Sequence, residues 1–133
     1  MSVEKVREFL RERGCTESVA DAGLAGLVSA WEDVVESLGT GYDQGLDDYL
    51  HDVDGREMIA AVIAGVPGAL TPALKRRLAE IDKRAKAALE PHTRCLWGDR
   101  LAKSNGWTRE EHWWYFMRPK SPGPELAEEL GLT

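Results

Sequence analysis

The sequence predicts an all-α fold, a single-domain bundle of about five to seven helices, and three observations carry that expectation. Apolar residues recur at helical spacing along most of the chain. Helix-start signals and glycine-containing turns separate those stretches, with short connections between them. The 133 residues, 43% hydrophobic and 30% charged, suit one globular domain, residues 1–133, with one core.

The elements follow in order. Val3, Val6 and Leu10, with Phe9 beside them, mark an amphipathic first helix that stops before Gly14. Leu24, Leu27, Val28, Trp31, Val34, Val35 and Leu38 form an unbroken second stripe. Thr16 or Ser18 caps that helix, and Gly39 and Gly41 end it. Tyr42, Leu46, Tyr49, Leu50 and Val53 make a third stripe; Ile59, Val62 and Ile63 begin a fourth in a different phase. The slip falls at Asp54-Gly55, and Asp54 with Glu57 has capping-box spacing, so two helices or one sharply bent helix are expected there. Val66-Pro67-Gly68 is a turn, and Thr71-Pro72 pairs an N-cap with proline at the first helical position. Leu70, Leu74, Leu78, Ile81, Ala85 and Leu89 continue a core stripe toward Pro91. Its other face holds Lys75, Arg76, Arg77, Lys83, Arg84 and Lys86.

The last third is less periodic. Leu96, Trp97 and Leu101 suggest a short helix, and Asn105-Gly106 a turn. Thr108-Arg-Glu-Glu111 is a second capping box, which predicts helix over 112–117, with one short strand as the alternative for this aromatic run. Pro119, Pro122 and Pro124 stiffen a tail, 118–133, that is expected to pack back on the bundle and end in a short helix.

Composition excludes several classes. Seventeen basic against 23 acidic residues give a net charge of −6, unlike a protein that wraps nucleic acid. The longest apolar stretch, 58–70, is interrupted by glycines and proline and is too short for a membrane span, which needs about 20 residues. The first residues show no secretory leader pattern, and two distant cysteines, Cys15 and Cys95, read as free thiols. A cytoplasmic protein is expected, with no nucleic-acid and no membrane partner. A nucleophile elbow, a phosphate-binding loop, a dinucleotide fingerprint and an HExxH helix do not occur in the sequence, and no cofactor is expected.

Charge is unevenly distributed. Residues 1–54 hold four basic and 13 acidic side chains, residues 55–120 hold 13 and seven, and the tail adds three acids. The acids concentrate at Asp43, Asp47, Asp48, Asp52 and Asp54, around His51, Tyr42 and Tyr49. Asp48, His51 and Asp52 share one helix side, which allows a partial site for a hard cation. Asp52-Val-Asp54-Gly55 is not an EF-hand, because that register puts Leu50 at the first ligand and Ala61 where the bidentate Glu belongs. A solvated acidic face near a helix start accounts for most of these residues. A surface that grips a basic protein accounts for them together with the tyrosines.

Trp113-Trp114-Tyr115-Phe116 cannot all face inward on a helix, where neighbours stand about 100° apart. At least one ring is therefore exposed, or covered by the tail. An exposed Trp113 or Trp114 is a candidate anchor for a partner or a homodimer. His92 and Cys95 are too few for zinc.

The functional expectation is a non-enzymatic acidic protein that binds another macromolecule, in the manner of immunity proteins, antitoxins or adaptors. Its expected contact residues are Tyr42, Asp43, Asp47, Asp48, Tyr49, Asp52, Trp113 and Trp114. The alternative is a metal-dependent hydrolase or small-ligand-binding protein using Asp48, His51 and Asp52, with His112 supplied by the fold.

Overall fold

A computed structural model of the chain describes residues 2–132. Its elements run α1 (Ser2–Glu12), α2 (Glu17–Thr40), α3 (Leu46–Gly65), α4 (Pro72–Ala88), β1 (Leu89–Pro91), α5 (Asp99–Asn105), a 3-10 turn (Trp113–Tyr115), β2 (Met117–Pro119) and α6 (Pro124–Glu129). The fold is an all-α bundle with one small antiparallel sheet, in which Leu89 pairs with Pro119, Glu90 with Arg118 and Pro91 with Met117.

Helix α2 is the spine, packed against α1, α3 and α4. Leu24, Val28, Trp31, Val35 and Leu38 of its stripe are buried, with Leu27 and Val34 half-buried beside them. Thr16 caps it, its hydroxyl accepting from the Val19 N–H at 3.3 Å. At Gly23 the backbone leaves helical geometry (φ 66°, ψ −158°), so α2 is kinked near its start. In α4, Thr71 caps as its spacing predicts, accepting from the Leu74 N–H at 3.2 Å ahead of Pro72. Leu78, Ile81 and Ala85 bury one α4 face, and Val6 and Leu10 of α1 close the core while Val3 stays exposed.

Two expectations are corrected. α3 does not break at Asp54 but runs unbroken over 20 residues. Asp54 is no cap. Its Oδ1 accepts from the Tyr115 hydroxyl at 2.7 Å and the Trp97 indole N–H at 3.0 Å. These tertiary bonds and the pairing of Arg56 with Asp82 hold the helix through Gly55, whose local cost is about 1 kcal/mol. The run 112–117 is not an α-helix either. The Thr108 hydroxyl accepts from the Glu111 N–H at 3.1 Å, as a cap does, but only a turn follows. One 3-10 turn then leads through Phe116 into β2. Off the helical period, Trp114, Tyr115 and Phe116 can all be buried in succession, and Trp113 is half-buried.

The tail returns to the start of α3. Tyr42 N–H donates to the Ser121 carbonyl, Gly123 N–H donates to the Tyr42 carbonyl, and Leu126 is fully buried. Gly123 sits so close to Tyr42 and Asp43 that a Cβ there would stand 3.1 Å from their backbone.

Candidate functional site

The N-terminus of α3 is where the sequence placed its acidic cluster, and the structure adds α6 to it. Gly45 occupies the N-cap position and offers no side chain to the first turn. Glu129 supplies the missing acceptor from across the chain, its Oε1 taking the Leu46 N–H at 3.1 Å. A Cβ on Gly45 would lie 2.8 Å from Glu125 Oε1 and 2.9 Å from Glu129 Oε1, so both α6 carboxylates crowd this point. Asp47 and Asp48 follow in the first turn of α3 and are exposed, as are Asp43, Glu125 and Glu129. Five carboxylates from three segments thus surround one helix start, where the free N–H groups offset part of their repulsion. The acids of α6 lie 80 residues downstream of those in α3; their signal in the sequence was the −3 tail.

The tyrosines take a different place from the expected one. Tyr42 and Tyr49 are 2% and 1% exposed, so neither is a surface anchor. They pack edge to face at 5.2 Å, and the Tyr42 hydroxyl donates to Asp52 Oδ2 at 2.7 Å. Burial, then the bond to Asp52, pushes the Tyr42 phenol far above its ordinary range; burial does the same to Tyr49. Asp52 is therefore a half-buried partner of Tyr42 and only in part a surface acid.

His51 is exposed on the next turn of α3. With Trp31, Asp33 and Asp52 it lines a depression of about 330 Å³ between α2 and α3. Among the described residues, no three His, Cys, Asp or Glu side chains are placed to hold a metal ion, so Asp48, His51 and Asp52 do not form a cation site. His112 stands elsewhere. Its ring packs on Trp114, and its Nδ1 accepts from the Thr108 N–H at 3.3 Å.

Trp113 and Trp114 are covered by cations of neighbouring helices. The Arg56 guanidinium lies 4.4 Å from the Trp114 ring centre, and the Lys86 ammonium lies 4.8 Å from that of Trp113. Trp114 is 3% exposed, which removes it as a partner or dimer anchor. Part of the basic α4 face is likewise occupied within the molecule. Arg77 and Arg84 reach Glu32 of α2 at 2.9 and 3.0 Å, and the hydrogen bond from Arg77 leads in holding the Glu32 carboxyl below its ordinary range.

No family model matches the chain, and neither a search of curated proteins nor one of solved structures returns a match.

Proposed function

We propose that this chain is a protein-binding module whose acidic end, Asp43, Asp47, Asp48, Glu125 and Glu129, grips a basic protein partner. The observation that carries the reading is the bond from Leu46 N–H to Glu129, which draws the acids of α6 onto those of α3. Like charges gathered at one exposed end create a field that steers a cationic partner and raises its association rate. The depression beside His51, with Asp33 and Asp52 in its wall, receives one lysine or arginine side chain of that partner. Tyr42 and Tyr49 act behind this surface by fixing the backbone at 42–49, not by touching the partner.

The test is kinetic. The association rate of the partner recovered from source cells is measured between low and physiological salt. A fall of tenfold or more with salt is expected, and D47K/D48K lowers the low-salt rate by a similar factor. A rate indifferent to both salt and charge reversal contradicts the reading.

A further inference from the structure

We propose that the turn after β1, flanked by β2, is a binding site for a phosphate dianion, free or as a monoester. The inference stands independently of the acidic end. It begins with four side chains from three segments: His92 and Arg94 in the turn, Arg109 in the loop after α5, and Arg118 in β2.

The sheet sets their placement. His92 N–H donates to the Phe116 carbonyl at 2.9 Å, which extends the β1–β2 pairing by one step. Arg118 then stands across from Glu90, with its Nη1 3.3 Å from His92 Nδ1. Arg109 folds over the same turn. Its Nη1 donates to the His92 carbonyl at 3.0 Å and its Nη2 to the Thr93 carbonyl at 2.8 Å. Its guanidinium lies 5.1 Å from the Phe116 ring centre. Two carbonyls and a ring face orient this cation without neutralising it.

The charge is left uncompensated. Glu90, 3.6 Å from Arg118 Nε, is the carboxylate paired in this cluster. That separation is too long for a hydrogen bond, and Arg118 Nε is buried with no acceptor among the described residues. Glu110 and Glu111 follow Arg109 in the chain, but among the described residues no carboxylate pairs with Arg109 or Arg94. Three guanidiniums and one carboxylate leave two positive charges in excess while His92 is neutral. Folding has brought cations together against their repulsion. The imidazole registers this: burial, then Arg118, Arg94 and Arg109, lower its pKa. Glu90 from β1 is the opposing charge that faces the cluster.

A phosphate monoester carries nearly two negative charges at pH 7 and three acceptor oxygens. It matches the excess, whereas a carboxylate would leave one charge over. Guanidinium N–H groups suit its oxygens, and Arg109, whose Nη groups each hold a carbonyl and keep one further N–H, is already ordered, so less side-chain entropy is lost on binding. Arg94, exposed two residues after His92, supplies the third guanidinium of the proposed site.

The test is an NMR titration of the whole chain with inorganic phosphate and, separately, phenyl phosphate, at constant ionic strength with acetate as control. Saturable shifts confined to 92–94, 109 and 118 are expected, together with a rise of about half a unit or more in the His92 pKa when phosphate is bound. Arg94→Gln, which removes no hydrogen bond or ion pair among the described residues, should weaken binding about threefold to tenfold. Binding of inorganic phosphate alone assigns the site to the free ion; binding of both shows that it takes the phosphoryl group in either form. Shifts that do not saturate, that acetate reproduces, or that survive unchanged in Arg94→Gln overturn the proposal.

Discussion

Arg56 of α3 and Asp82 of α4 form a two-pronged pair in the core, Nε to Oδ1 at 3.0 Å and Nη2 to Oδ2 at 2.9 Å. The Arg56 side chain is only 9% exposed, that of Asp82 17%. Trp31 of α2 donates its indole N–H to the same Oδ1 at 3.0 Å, so one carboxylate ties three helices together. The fourth neighbour is Trp114, whose ring covers the guanidinium. Removing one partner strands a buried charge. Arg56→Met should cost about 3 kcal/mol, and the double change Arg56→Met with Asp82→Asn should recover more than half, since Asn still accepts from Trp31. Urea unfolding of the four proteins measures this; a coupling energy under about 0.5 kcal/mol would show that the pair is not a unit.

The three tyrosines should resist alkali together. All are buried and all have phenols pushed up by burial, with Asp52 adding to the effect at Tyr42 and Asp54 at Tyr115. A raised folded pKa means that the folded state holds protons the unfolded chain releases. The stability this provides is complete below the unfolded value of about 10 and drains away as pH rises beyond it. Phenolate absorbance should therefore emerge in one cooperative step with loss of helix, above the pH at which free tyrosine titrates. Gradual ionisation with the helices intact would contradict the burial described here.

Glu57 is shifted in the same direction but in a lower pH range, which makes it a weak point at neutral pH. Burial raises its carboxyl pKa against the opposing pull of His112, Arg56 and Arg13, and Oε1 is buried without a partner. Its stability is present below the unfolded value near 4.3 and is lost as pH rises through the folded one. Glu57→Gln should melt a few degrees higher than the parent at pH 7 and equally at pH 4. A variant that melts lower at pH 7 would show that the ionised carboxylate makes a bond of net benefit.

Two glycines should respond with opposite signs to the same change. A Cβ meets nothing within 4 Å at either Gly23 or Gly55, so packing does not decide the outcome. Gly23 sits at φ 66° and ψ −158°, which side-chain-bearing residues avoid, and Gly23→Ala should cost more than about 1 kcal/mol. Gly55 is helical within α3, and Gly55→Ala should gain about 0.5–1 kcal/mol. Thermal melts of the pair check both signs.

Where one local rule governed an element, its residues could be read from the sequence. The α2 stripe and the Thr71-Pro72 start of α4 needed only period and cap, and both stand as expected. At Asp54-Gly55 the local chemistry favours a break, yet α3 continues. Tyr115, Trp97 and Asp82, from 26 to 61 residues away, override it. The aromatic run has no period because different neighbours cover each ring: Lys86 for Trp113, Arg56 for Trp114, Arg109 for Phe116. Tyr42 and Tyr49 belong to an apolar stripe, and their burial follows that stripe and not the acids around them. The exposed acids of α3 were legible, but their meeting with Glu125 and Glu129 depends on the tail's return, which no spacing encodes.

If α3 and α6 present one acidic surface to a basic protein, charge reversal on either helix must release that partner. The most direct measurement is parallel affinity capture from source cells, quantified by mass spectrometry, with three baits: the parent, D43K/D47K/D48K, and E125K. Each bait is first shown by circular dichroism to keep its helices. One basic protein should be held in stoichiometric amount by the parent and lost by both variants, although their changes lie about 80 residues apart in sequence. Equal recovery of that protein on all three baits would contradict it.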